Sequence, residues 1–203
     1  MNKQYLREKI NPVLLYLYKI YGIEIKDSLL SCPQENKRRY IRETYKTRPD
    51  ISSFIETGTW MGDTVDFVIN DFKNIYSIEL SEEYANKAKL RFKDKNNVKI
   101  ITGDSAEELP LLMKQINEPC VFWLDGHYSY GNTAKAKKET PILEELRPIL
   151  KMEQDHIILI DDARLFIGTH NYPWLLNLAR FVRKTNPQYK MIVSNDIITL
   201  IKK

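Results

Sequence analysis

No stretch of this 203-residue chain reaches the run of about 18 apolar residues that a membrane-crossing helix needs. The stretch MNKQYLREKINPVLLYLYKI carries Lys, Arg and Glu among its apolar residues and has no small-residue cleavage site, so it is not expected to act as a secretory leader. A cytoplasmic protein, with no membrane partner, is the expectation. Cysteine is scarce. Cys32 and Cys120 are far apart and form no metal-type pair; Cys120 opens the apolar run CVFWL and reads as buried packing. No internal repeat, low-complexity tract or Gly/Ser linker divides the chain, so one domain with a short appendage is expected. Nor is there a large excess of one charge: the net charge of +4 falls short of a strongly basic, nucleic-acid-binding domain. The basic residues do gather at Lys37, Arg38, Arg39, Arg42, Lys46 and Arg48. That cluster is either a solvated helix face, the favoured reading, or a surface for a polyanion.

What is present is a rhythm. Ile10, Leu14, Leu15, Tyr18 and Tyr21 recur at helical spacing, and Gly22 offers a stop. The first fifty residues therefore read as helical, with a second helix after Pro33 carrying the basic cluster. Beyond Pro49, short apolar runs alternate with amphipathic segments. Strands are predicted over 51–55, 75–78, 98–102, 121–124 and 157–160. Between them, Val65, Val68, Ile69 and Phe72 share one helix face, as do Leu109, Leu112, Met113 and Ile116. Ser81 is placed to cap the helix bearing Tyr84, Ala88 and Phe92, and Thr140-Pro141 to open the helix bearing Ile142, Leu143, Leu146 and Leu150. Such alternation argues for a parallel sheet covered on both faces. The end differs. Runs 190–193 and 197–201 are joined only by Ser194-Asn195-Asp196, enough for a hairpin but not for a parallel crossover. A closing antiparallel strand leans away from a dehydrogenase.

Ligands of open α/β sheets bind beyond the carboxyl ends of the strands. After the first strand stands Glu56-Thr57-Gly58-Thr59-Trp60-Met61-Gly62-Asp63-Thr64. Glycines at a strand-to-helix turn let a ligand approach the backbone. The dinucleotide pattern G-x-G-x-x-G is absent, because Trp60 stands where its second glycine would be. Glu56 suits a cationic ligand better than a phosphate. Glu79, twenty-three residues on, has the place and spacing of an acid that accepts hydrogen bonds from ribose hydroxyls. Asp104, Asp125 and the pair Asp161-Asp162 follow the next three strands. One such acid is easily a turn or helix cap; acids at five successive strand ends suggest a common rim.

The order E-T-G-T-x-x-G-D-T, I-E-L-S, G-D-S, L-D-G-H-Y-S, I-D-D resembles the class I S-adenosylmethionine-dependent methyltransferases over about residues 50 to 203. The resemblance implies a Rossmann-like α/β fold: a seven-stranded, mostly parallel sheet, one antiparallel strand from the C-terminal hairpin, and helices on both faces. Residues 50–203 would form the cofactor-binding domain and 1–49 an N-terminal helical extension or cap, or a homodimer contact. It also implies S-adenosylmethionine as cofactor, with Glu56 and Gly58 at its methionine end, Glu79 on its ribose, and Asp104 and Ser105 beside its adenine. Thr57, Gly62 and Leu80 would contact it from the same loops, and Asp125 would line the methyl-transfer chamber.

A narrower likeness is carried by Trp60, Asp125 and the paired Asp161 and Asp162. It is to metal-dependent O-methyltransferases, including those acting on sugars, and it implies Mg²⁺ held by Asp125, Asp161 and Asp162, a hard-oxygen set. The competing account has Asp125 positioning the cofactor and Asp162 capping a turn, with no metal. The segment Asp125-Gly126-His127-Tyr128 is also similar to a bacterial group with an Asp-Gly-x-His element, although here His127 directly follows Gly126. On this reading the acceptor is a small molecule or sugar hydroxyl, His127 is the general base, and Tyr128 is its alternate. Nucleic acid is the rival acceptor. The Asn/Asp-Pro-Pro-Tyr/Phe element of base-amine methyltransferases is absent. A non-catalytic binding module is the other rival, and it would need none of the rim acids. Residues 164–173 (RLFIGTHNYP) are expected to wall or cover the acceptor site, with His170 a candidate contact.

Overall fold

Residues 16, 19–27, 30–126 and 140–203 are described by the computed structural model. In chain order the elements are β1 (Ile23–Ile25), α1 (Gln34–Tyr45), β2 (Ser53–Thr57), α2 (Asp63–Val68), β3 (Asn74–Glu79), α3 (Glu82–Arg91) and β4 (Val98–Thr102). Then come α4 (Ser105–Met113), β5 (Cys120–Leu124), α5 (Ile142–Leu150), β6 (Ile157–Ile160), a 3₁₀ turn (Ala163–Leu165), α6 (Leu175–Thr185), β7 (Tyr189–Ser194) and β8 (Ile197–Lys202).

All eight strands join one sheet in the order β1-β7-β8-β6-β5-β2-β3-β4. Every pairing is parallel except those of β8, which runs antiparallel to both β6 and β7. The hairpin turn consists of Asn195 (φ 54°) and Asp196 (φ 61°) alone, with Ser194 paired to Ile197. Two central residues at positive φ match the twist of the flanking strands. The sheet therefore corrects the expected count of seven. The eighth strand is Ile23–Ile25, which follows Gly22 (φ +71°) and pairs with Met191–Val193. Three residues are too few to display a two-residue period, so the sequence gives no warning of it.

Most of the apolar faces predicted from spacing pack, except that α3 buries Ala85 with Ala88 and leaves Tyr84 half-buried, and Ile10, Leu14, Leu15 and Tyr18 lie outside the described residues. Phe54, Ile75, Val121, Trp123, Ile157 and Leu159 meet Ile41 and Tyr45 of α1, Val65 and Val68 of α2, and Ala88 of α3 on one side of the sheet. Ile55, Phe122, Leu124, Ile158 and Ile160 meet Leu109 and Leu112 of α4, Leu146 and Ile149 of α5, and Leu178 and Val182 of α6 on the other. Ser81 caps α3 by accepting from the Tyr84 amide at 3.4 Å, as expected. The fifth helix begins one residue late: Pro141, not Thr140, is its cap residue, and no side chain caps it.

The central strand β2 lies two residues beyond the predicted run. Its ladder continues through Thr57, which faces Ile78 on one side and Leu124 on the other. Glu56 is therefore a strand residue, 1% exposed, rather than the first residue of a loop. That shift governs its chemistry.

Candidate functional site

The carboxyl ends of β2, β3, β4, β5 and β6 form one rim, tied by backbone bonds. Gly58 N–H donates to the Ile78 carbonyl, Asp125 N–H to Thr57, Gly103 N–H to Glu79 and Asp161 N–H to Leu124, all at 2.9–3.1 Å. Gly58 (φ +85°) is where the first loop presses on the fifth strand. A Cβ there would lie 2.5 Å from the Asp125 carbonyl oxygen, so no other residue fits without moving that strand end. Trp60 takes a left-handed φ of 45° although it is not glycine. Its amide donates to Glu79 Oε2 at 2.8 Å, and the Ser81 amide donates to Oε1 at 2.9 Å. Two amides leave about two of the four acceptor positions of the Glu79 carboxylate for a ligand. Gly62 (φ +79°) opens α2, and Asp104 caps α4 by accepting from the Ala106 amide at 2.9 Å. Ser105 behind it is buried, and Leu80 is half-buried.

Burial dominates Glu56. It raises the carboxyl pKa to about 8, the Asp125 and Glu79 charges add to the rise, and hydrogen bonds from Ser77 and Thr64 oppose it. The Ser77 hydroxyl donates to Glu56 Oε2 at 2.5 Å and lies 2.6 Å from the Thr59 hydroxyl. The structure thus holds a latent negative charge beneath the first loop. A cation brought to it would draw the proton off.

Past β5 and β6 lies a small cavity lined by Asp125, Gly126, Thr140, Glu145, Asp161 and Tyr172. Glu145, on α5, is 1% exposed. Burial raises its pKa to about 7, with Ser105 and Thr57 hydroxyls opposing and Asp104 and Asp125 adding. Those hydroxyls are near enough to matter electrostatically, yet Oε1 has no hydrogen-bond partner of normal geometry among the described residues. Tyr172 closes one wall, its ring edge-to-face on Phe166 at 5.2 Å. The 164–173 segment thus does border this cavity, whereas its His170 is exposed. His127 and Tyr128 lie outside the described residues.

The most heavily charged part of the rim centres on a residue that the sequence reading left on a solvated face. Lys37 of α1 is buried, and its Nζ lies 2.5 Å from Asp161 Oδ1, 2.8 Å from Asp162 Oδ1 and 3.4 Å from Asp196 Oδ2. Burial alone would lower its pKa, but Asp161 and Asp162 more than reverse that, so the ammonium stays charged. Asp161 is pushed up to about 7 by burial and by Asp125 and Asp162, with Lys37 opposing. Arg164 donates to Asp162 at 2.5 Å and also to Asp196. The rest of the basic cluster disperses. Arg42 stacks over Phe67 at 4.2 Å, Arg48 pairs with Asp50 and Asp155, and Arg38, Arg39 and Lys46 are exposed.

The expected Mg²⁺ set of Asp125, Asp161 and Asp162 is not assembled as a metal shell. Among the described residues no group of three or more His, Cys, Asp or Glu side chains is arranged to hold a metal. Two of the three expected ligands point their oxygens at an ammonium instead. The donor set does not fit a divalent ion while Lys37 is in it. Sequence reasoning also missed Glu145 and Asp196. Spacing held a signal for two of the three missed residues: Lys37 stands four and eight residues before Ile41 and Tyr45, and Glu145 lies between Ile142 and Ile149 on one helix face.

No family model and no curated protein matches the sequence. Solved structures do match its fold. An O-methyltransferase of Bacillus cereus in complex with S-adenosylhomocysteine superposes with a TM-score of 0.59 at 16% identity, covering 98% of this chain and 96% of that one. A methyltransferase of Podospora anserina with S-adenosylhomocysteine bound gives 0.57 at 17% identity, covering 98% and 93%. An rRNA methylase of Streptococcus thermophilus gives 0.51 at 16% identity, covering 87% and 99%. With the strand order, the closing hairpin and the rim already in place, the chain has the fold of the class I S-adenosylmethionine-dependent methyltransferases.

Proposed function

We propose that this protein transfers the methyl group of S-adenosylmethionine to an oxygen of a small-molecule or sugar acceptor. The observation that carries the reading is the rim itself. Glu56, Glu79 and Asp104 stand at the ends of three adjacent strands, around a loop that Gly58 holds against Asp125. Glu56 would meet the cationic methionine end, Glu79 the ribose, and Asp104 with Ser105 the adenine. Thr57, Gly62 and Leu80 would complete the cofactor's surroundings. S-adenosylhomocysteine, the demethylated form of that cofactor, is bound in two structures of like fold, which supports the reading by analogy.

Methyl transfer from a sulfonium is a direct displacement, so alignment of the acceptor oxygen with the methyl group is a large part of catalysis. Asp125 would line the acceptor end, beside the small cavity past β5. His127, two residues beyond Asp125, would take the hydroxyl proton, with Tyr128 as its alternate. Glu145 lines the same cavity with a pKa near 7 and is a further group able to hold that proton. The excess of carboxylates at the rim favours a neutral acceptor over a phosphate-rich one. No step is assigned to a metal.

Calorimetry against S-adenosylhomocysteine and NAD tests the cofactor. Binding of the first and not the second is expected. Glu79→Ala should weaken it by about 1.5–3 kcal/mol, the usual loss for hydrogen bonds to a charged group. Tight NAD binding without a response to S-adenosylhomocysteine would sink the proposal.

A further inference from the structure

We propose that Lys37 is a built-in cation that occupies the place of a divalent metal at the acceptor side of the rim, making this protein metal-independent. Three observations carry it.

The first is stoichiometric. An ammonium has three donors and no acceptor. Nζ of Lys37 faces three carboxylates, Asp161 at 2.5 Å, Asp162 at 2.8 Å and Asp196 at 3.4 Å. The first two are hydrogen bonds and the third is an ion pair. Mg²⁺ demands oxygens at about 2.0–2.1 Å in a near-octahedral shell, so the same carboxylates would have to close in on a smaller ion.

The second concerns whether the lysine can leave. Lys37, Ile41 and Tyr45 are the buried residues of α1, at i, i+4 and i+8. Ile41 and Tyr45 lock into the core with Phe54 and Phe72. The lysine therefore sits on the packed stripe of the helix, and withdrawing it strands a charge in a poorly solvated place or lifts α1 from the sheet. An entering metal would have to bear that cost.

The third is charge balance. Lys37 and Arg164 face Asp161, Asp162 and Asp196, and Asp162 and Asp196 each contact both cations. Among the described residues, Lys37 supplies one of the two positive charges set against these three carboxylates. Without it the rim would carry a concentrated negative charge, open to a hard cation. Asp196 stands on the β7–β8 turn, and its carbonyl accepts from the Ala163 amide at 2.8 Å. One lysine thus ties α1, the end of β6 and the closing hairpin together. We assign it a positioning role: hydrogen-bonded to Asp161 and Asp162 and paired with Asp196, it acts on an acceptor through Asp161 and Asp162.

The proposal rests on the methyltransferase reading only in the S-adenosylhomocysteine readout, so the test begins with metal binding. Mn²⁺ is titrated into the intact protein and the free ion is followed by electron paramagnetic resonance. Wild type should bind none at the rim, and chelator should leave its S-adenosylhomocysteine affinity unchanged. Lys37→Ala should gain one Mn²⁺ per chain, at least about tenfold tighter than any wild-type binding, and Asp161→Asn added to it should abolish the gain. The melting temperature of Lys37→Ala, lowered by the exposed carboxylates, should recover with Mn²⁺, whereas a purely packing role would give loss without recovery. Should Lys37→Ala not fold, Lys37→Gln keeps most of the side chain without its charge and takes the same titration. Stoichiometric Mn²⁺ binding by wild type that disappears in Asp161→Asn overturns the proposal, and so does a folded Lys37 variant that binds no metal. Failure to bind S-adenosylhomocysteine strikes the cofactor reading and leaves these outcomes standing.

Discussion

Replacing Glu56 by glutamine separates the charge of that carboxyl from its shape and most of its hydrogen bonding. In the folded protein the group is 1% exposed and burial lifts its pKa from an ordinary 4.5 to about 8. At pH 7 only about one molecule in ten is then ionised, and ionising the rest costs about 1.4 kcal/mol. The sign follows from linkage. The folded chain keeps a proton between pH 4.5 and 8 that the unfolded chain has released, so stability is full below pH 4.5 and falls as pH rises through that window. The accumulated loss is of the order of 4–5 kcal/mol. Glutamine has no proton to lose. Denaturant unfolding from pH 5 to 9 should therefore show Glu56→Gln gaining on wild type steadily and levelling off past pH 8. Comparison with the variant also cancels Glu145 and Asp161, which titrate in the same range.

Binding should run the other way. A cation at the methionine end of the cofactor is served by the ionised carboxyl, so wild-type affinity for S-adenosylhomocysteine should climb about tenfold per pH unit between 6 and 7 and flatten above 8. Proton release should be visible by calorimetry in buffers of different ionisation enthalpy. Glu56→Gln should bind weakly, with no such dependence. Parallel stability curves for the two proteins, together with a flat affinity profile, would refute the reasoning.

Gly58→Ala places a methyl group 2.5 Å from the Asp125 carbonyl at a φ of +85°; unfolding should show a loss of at least about 2 kcal/mol from left-handed strain and clash together, and an unchanged midpoint would mean that the loop is not pressed on β5. His127→Ala, assayed with a working acceptor at saturating cofactor, should lower kcat by about 10²–10⁴-fold with cofactor affinity unchanged. A rate within a few-fold of wild type removes His127 from the mechanism and turns attention to Glu145.

Much of the architecture was legible because it is written in short-range periodicity. The apolar face Val65, Val68, Ile69, Phe72 and the strand candidates alternating with it depend on neighbours within a turn or two; all four residues are buried, although α2 itself ends at Val68 and Phe72 lies past it. The hairpin was legible because a three-residue connection admits no crossover, and the antiparallel placement of β8 follows from it. The rim acids were visible because each stands at or just past the carboxyl end of an apolar run, whether inside the strand (Glu56, Glu79) or after it (Asp104, Asp125, Asp161).

Tertiary structure decided the rest. Pairing on both sides extends β2 to Thr57, which turns Glu56 from a loop carboxylate into a buried, protonated one. Ile23–Ile25 becomes a strand because β7 offers an edge, not because three residues announce one. Lys37 meets Asp161 across 124 residues of chain, and Asp196 joins them from the far hairpin. Composition made that lysine one of a surface cluster; its place on the packed stripe of α1, over the end of β6, made it the cation of the site. Local pattern tells which side of a helix goes inward, but only packing tells what it meets there.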